Sequence, residues 1–462
     1  MNRKVIFWVC CFCASLPSRG DELSFRHYTA RDGLSTNDVL CMIQDASGRV
    51  WCGTSDGLSR FDSREFKTFR HVAGDDRSLG NNTVHSLHEA ANGEIWVGTE
   101  NGVYRHDPAT GFFAPFPLHP LEQATGGDDA ARPMHKNIVY SIKEDRDGQV
   151  WITAYGNGLY RYDPDTRTLH HYTKDGREEA ATIPSDLSTK ILVDRGGTVW
   201  VATNGAGVYR YVAEEERFER VPLRDEATGR EARYIYALCE DDQGNICACD
   251  NALFKYDPIR RTTRVHLVDE LQSVHFITST RTGSLYIGSD AGLTIYHPDG
   301  SAETHRHDAR FPRGLSDTFV YSILEDNEGG LWVGTYCGGL NYLAPGSDAF
   351  EFHAPSDAPG GLHGKIVSEF REGADGSLWI GTEDDGLYHF SPRNGRFTPV
   401  YLGDDSRGVK VQALLVDGND LWVGTYARGI FRKNTATGRL THYLDSSNIK
   451  NVYSLYKDSA GR

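Results

Sequence analysis

The sequence predicts an all-β chain: a seven-bladed β-propeller of four-stranded antiparallel blades, followed by an incomplete second propeller. Three observations carry this. One phrase recurs from end to end, clearest as Val320-Tyr-Ser-Ile-Leu-Glu-Asp-Asn-Glu-Gly329-Gly-Leu-Trp332-Val-Gly-Thr335. Its copies, aligned on the tryptophan, fall at Trp51, Trp96, Trp151, Trp200, Cys247, Tyr286, Trp332, Trp379 and Trp422, about 39 to 55 residues apart, the spacing of propeller blades. And 49 Gly with 23 Tyr and 20 Phe, against 3 Met, favour strands and turns over long helices.

The chain opens with Asn2, Arg3 and Lys4, then the apolar run Val5 to Ser15, then the small residues Ser18 and Gly20. Basic, apolar and small blocks in that order predict a secretory signal peptide over residues 1–20, cut before Asp21. The apolar run is too short to cross a bilayer as a helix. Periplasmic localisation follows as the expectation.

Each repeat then resolves into strands. The first is a β-rich run such as Val139 to Lys143, with Tyr140 and Ile142 expected on one side and Ser141 and Lys143 on the other. A turn follows, Asp145-Arg-Asp-Gly148 or Asp326-Asn-Glu-Gly329, where Asp accepts from backbone amides ahead and Gly supplies a positive φ. The second strand, Val150 to Thr153 or Leu331 to Thr335, carries the tryptophan. A third, Gly158 to Tyr162, and an aromatic fourth, Leu169 to Tyr172 or Phe350 to Phe352, complete the blade. A lone blade is apolar on both faces, so blades must stack into a ring.

Seven copies from Trp51 to Trp332 make a ring over residues 21–345, with Ser24 to Tyr28 as the strand that closes it beside blade seven. Residues 346–462 begin a second ring with the copies at Trp379 and Trp422. A tenth copy starts at Asn451 and stops where its tryptophan is due, so a fragment of a longer protein is expected. Copies five and six, with Cys247 and Tyr286 at the tryptophan position and Asn251-Ala-Leu lacking its Gly, are expected to be looser or remodelled.

Charge and cysteines narrow the function. A formal charge of −15 repels phosphate backbones, which sets nucleic-acid binding aside. Six cysteines beyond residue 20 make no disulfide scaffold and no metal set, and no metal or cofactor is expected. Cys41 and Cys52 fall roughly opposite one another in a folded hairpin, so a cross-strand disulfide and two packed thiols are both open. Asp145 and Asp147 read as turn residues before calcium ligands, because the turn recurs with other residues between. The tryptophans read as core.

Ligand contacts are expected in the loops after each second strand and before each first strand, which meet on one face of a propeller. They are Asn37, Asp56, Asn82, Glu100, Asn137, Tyr155, Asn157, Asn204 and Tyr336. Tyr stacks on a sugar face while Asn and acids bond hydroxyls. No nucleophile elbow or zinc phrase occurs, so no catalytic residue is assigned. A glycan lyase or hydrolase assembled from separate blades is the alternative, with His85, His88, His135 and Tyr140 as its first candidates, and a protein-interaction scaffold is the other.

The phrase Asp-x-x-Gly-x-Leu-Trp-Val-Gly-Thr with a following Gly-Leu, at Asp326 to Leu340 and less fully at Gly376 to Leu387, resembles the two-component regulator propeller repeat. So does the lead-in Gly33-Leu34-Ser35, repeated at Gly314-Leu315-Ser316. Such arrays behind a signal peptide are similar to the periplasmic sensor half of Bacteroidetes hybrid two-component systems. The resemblance implies an oligosaccharide ligand controlling polysaccharide-utilisation genes. It also implies a kinase and a C-terminal membrane helix, both absent from this sequence, and two arrangements of propellers or homodimer partners that the ligand distinguishes.

Overall fold

The computed structural model describes residues 23–118, 137–174, 182–267, 270–346, 353, 355–356, 359–403, 408–443 and 450–461. The expected signal peptide, His135 and Phe350 to Phe352 lie outside them. Among the described residues the strands form nine four-stranded antiparallel sheets. The chain divides into two compact units, residues 1–349 and 350–462.

The first unit holds seven blades. Their innermost strands are Val39–Gln44, Val84–Glu89, Ile142–Glu144, Ser188–Val193, Ala237–Glu240, Val274–Ser279 and Val320–Glu325. Six sheets are sequential hairpins; the seventh takes its outer strand, Arg26–Tyr28, from the start of the chain. Arg26 pairs with Tyr342 and Tyr28 with Leu340, which closes the ring. Tyr28 also stacks on Trp332 at 5.9 Å and packs on Phe61 of blade one at 5.1 Å, so it spans the seam.

In four blades the turn between the first and second strands is locked in one way. Gly148 has φ 78° and Gly329 φ 88°, the left-handed region that glycine enters without strain. The turn aspartate accepts backbone amides with one oxygen and an indole N–H with the other: Trp51 to Asp45 at 2.8 Å, Trp151 to Asp145 at 2.7 Å, Trp200 to Asp194 at 2.8 Å, Trp332 to Asp326 at 2.9 Å. Asp145 is therefore committed to its turn, as expected. These tryptophans are at most 5% exposed, each the centre of a cluster between two blades.

Blades are tied to one another at both ends of the inner strands. Near one end, Ser86 donates to the carbonyl of Val139 at 2.8 Å and Ser322 to that of Val39 at 3.1 Å. At the other, an inner-strand carboxylate or amide accepts from the neighbouring turn: Glu89 from Ala46 N, Glu144 from Ala91 N, Glu240 from Arg195 N, Glu325 from Arg281 N, and Gln44 from Asn327 N across the seam.

Two expectations are corrected, and of the two readings left open for Cys41 and Cys52 the free thiols hold. Inner strands do not alternate strictly, because the register slips by one residue at Leu40, His85, Thr189, His275 and Tyr321. Cys52 pairs with Met42 and Cys41 with Gly53, so the two thiols face opposite sides of the sheet, in separate clusters, and both are free. Blades five and six are complete. In blade five, where Cys247 leaves Asp241 without an indole, Lys255 Nζ and Asn245 take its place on the carboxylate, the lysine at 2.8 Å.

The second unit holds two blades, with inner strands Val367–Glu372 and Val411–Asp417. Val452 then donates to Thr425 O and Gly429 donates to Lys450 O. Val139 and Gly102 make the same pair of bonds where blade three begins, so the tenth copy opens in repeat register.

Candidate functional site

The residue after the aliphatic residue that opens each inner strand builds the site. At His85, His275 and Tyr321 this residue is the one at which the register slips; Tyr140 and Tyr236 follow Val139 and Ile235 just ahead of the paired strand. His85, Tyr140, Tyr236, His275 and Tyr321 occupy this position in blades two, three, five, six and seven. The inner strands of successive blades contact one another around the ring, so these side chains gather at one mouth of the axis.

Their contacts run from blade to blade. The His85 ring lies edge-on to Tyr140 at 5.1 Å, and Tyr140 edge-on to Tyr155 at 5.5 Å. Tyr155 accepts a hydrogen bond from Asn204 Nδ2 at 2.8 Å. Tyr236 faces the same pair, and burial together with the Tyr155 phenol raises its pKa. Across the mouth, His275 stacks on Tyr321 at 4.0 Å, Tyr321 on Tyr336 at 5.3 Å, and His275 Nε2 lies 2.7 Å from Asp290 Oδ1. Tyr234, Tyr236 and Tyr336 are 59%, 42% and 46% exposed, an unusual display for aromatic side chains.

Of the residues expected from sequence, Tyr155, Asn204 and Tyr336 belong to this crescent. Glu100 stands beside it, its charge felt by His85 and Tyr140. The others sit on the same loops but serve the ring. Asn37 accepts from Ala30 N at 2.8 Å and its carbonyl from Gly339 N. Asn82 accepts from His71 N and donates to Asp56 at 3.1 Å, and Asp56 also takes Arg70. Asn157 donates to Asn137, and its carbonyl is bound to His171. Sequence reading missed Tyr234, Tyr236, His275, Asp290 and Tyr321. The signal was an aromatic or histidine directly after the opening Val or Ile.

The candidates for catalysis are differently employed. His88 Nε2 accepts from Glu144 N at 3.1 Å, and burial, aided by Lys143, pushes its pKa down to about 3. Burial likewise lowers His85. Both imidazoles are neutral at physiological pH. Among the described residues no group of three or more His, Cys, Asp or Glu is placed to hold a metal. Nor is any described helix long and apolar enough to cross a membrane.

Comparison with known proteins bears on this arrangement. The two-component regulator propeller model matches residues 33–56, 78–101, 134–156 and 314–337, which are the lead-in and first hairpin of four blades. These four segments match the two-component regulator propeller repeat. Histidine kinase P4 of Formosa agariphila is 38% identical over 65 residues, 14% of this chain and 5% of the kinase. The extracellular domain of a hybrid two-component system of B. thetaiotaomicron superposes with a TM-score of 0.67 at 21% identity, covering 95% of this chain and 63% of that one. Virginiamycin B lyase of Staphylococcus aureus covers 70% of this chain with a TM-score of 0.51 at 13% identity. At such identities the two superpositions speak to fold. The chain spans less than two thirds of the sensor domain it superposes on.

Proposed function

We propose that this chain is the ligand-sensing region of a two-component sensor, exported to the periplasm by residues 1–20, and that its ligand is an oligosaccharide bound at the axial mouth of the first ring. The crescent of Tyr140, Tyr155, Tyr236, Tyr321 and Tyr336, interleaved with Asn204, Asp290 and Glu100, carries this reading. Exposed phenol faces stack on sugar rings, and amide and carboxylate groups bond their hydroxyls. The first propeller occupies about residues 21–345 and the second begins at 346. Output passes through a kinase and a membrane helix elsewhere in the protein, and the ligand acts by preferring one arrangement of propellers or homodimer partners. The repeat match and the sensor-domain likeness support the role.

The test is calorimetric titration of the exported protein with defined oligosaccharides, followed by chromatography of the recovered sugar. Binding of one glycan class, recovered intact, and about tenfold weaker in Tyr321→Ala, is expected. Cleaved sugar would replace the sensor with an enzyme, and no binding by any sugar would replace the glycan with a protein partner.

A further inference from the structure

Below the aromatic mouth the axial channel holds two lysines that no described acid neutralises. Lys143 lies on the inner strand of blade three and Lys190 on that of blade four. Lys190 Nζ reaches the Tyr140 carbonyl of blade three at 3.5 Å and stands 5.9 Å from the Phe276 ring of blade six. It is also felt by Cys41 of blade one and His85 of blade two. Only a side chain directed along the axis meets four other blades in this way. Solvent reaches Lys143 and, in part, Lys190, yet protein surrounds both. They therefore line a narrow wet channel.

The channel offers Lys190 a backbone carbonyl and a ring face but, among the described residues, offers neither lysine a carboxylate. The nearby acids, Glu89, Glu144 and Glu240, are committed to turn amides of neighbouring blades. Burial lowers Lys143. Burial and repulsion from Lys143 bring Lys190 down to about 8, and the Cys41 thiol beside it is itself pushed up to about 12 and is neutral. Lys190 thus keeps its proton at neutral pH, in a protein of net charge −15. Two lysines that share one channel with no carboxylate between them repel each other, and an anion placed there removes that cost.

We infer that the throat of the first ring is an anion subsite, in which Lys143 and Lys190 hold an acidic substituent, a carboxylate or sulfate, of a sugar whose ring lies on the aromatic crescent above. This rests on the glycan reading and gives it a class: acidic oligosaccharides, inserted acid group first. Glu100 and Asp290 at the mouth disfavour the reverse orientation.

The experiment labels surface lysines of the whole protein with an amine-reactive ester at pH 8 and reads Lys143 and Lys190 by mass spectrometry. Labelling is run alone and with trigalacturonic acid, neutral galactotriose, a sulfated disaccharide, its desulfated form, or inorganic sulfate. Titrations of the wild type, Lys143→Met and Lys190→Met accompany it. The inference expects protection of both lysines by the acidic sugars of one kind. It also expects acidic sugar to bind at least tenfold tighter than its neutral match, with that preference lost in both variants. The carboxylated and sulfated probes tell which acid fits. Neutral sugar bound as tightly, with no protection by any acid, overturns the anion subsite and leaves the glycan sensor standing. Protection by inorganic sulfate with no sugar bound keeps the subsite and removes the glycan reading. Should a variant fail to fold, wild-type protection decides alone.

Discussion

Asp45 shows how one residue sets both local geometry and its pH dependence. It is 1% exposed, and burial alone would raise its pKa. The Trp51 indole N–H and the Arg49 amide and guanidinium outweigh that, and the folded pKa falls below the unfolded value of about 3.9. The stabilisation is then complete above the unfolded pKa and is lost as pH drops through the folded one. Asp45→Asn is expected to cost about 2 kcal/mol at pH 7, from hydrogen bonds that lose their charge. Guanidinium titrations of both proteins should show the gap narrowing as the solution is acidified below about pH 5. A gap that stays constant with pH would refute the assignment. The tryptophan's recurrence made its burial legible in sequence; its bond to the turn aspartate was not read, although the two stand six residues apart in four blades.

At the level of elements, the repeat phrase revealed strand order, blade boundaries and the closing strand. It did not reveal the bulges, because a one-residue slip leaves no mark on hydrophobic alternation when both neighbours of the slipped residue are buried, as at Val84-His85-Ser86. Part of the candidate site, His275 and Tyr321, stands on those slips, which is why Tyr155, Asn204 and Tyr336, on loops, were found and Tyr321 was not. The blade seam was also only half visible. Gly334, on the second strand of blade seven, leaves room for Val39 of blade one; an added Cβ would sit 2.7 Å from the valine Cγ1. Gly334→Ala is therefore expected to destabilise the ring by about 1–3 kcal/mol through overpacking. Gly53, Gly98 and Gly288 approach the opening valine of the next blade as closely, so the contact belongs to the repeat, whereas Ala202, at the same repeat position in blade four, is accommodated with no exposure. Equal losses from Gly334→Ala and from Ala202→Gly would argue against overpacking as the cause.

For the whole molecule, the first ring has its own closing strand, its own core clusters and inter-blade ties on every side. A chain of residues 21–346 is expected to fold alone and unfold in one cooperative calorimetric transition. Separate transitions for individual blades would show that the ring is a stack of near-independent repeats instead. The acidic net charge, read from sequence as exclusion of nucleic acid, gains a second meaning from the channel lysines: within an acidic molecule, Lys143 and Lys190 from neighbouring blades are brought to one channel. Composition reports only the sum, so this placement was invisible before the chain was folded.

The closing strand has a mechanical corollary. Arg26, where the chain enters the ring, is paired with Tyr342, next to where it leaves. A force applied between entry and exit acts on neighbouring ends of two antiparallel strands, so their hydrogen bonds break one after another and not together. The ring resists heat as a circle but yields to tension like a zip.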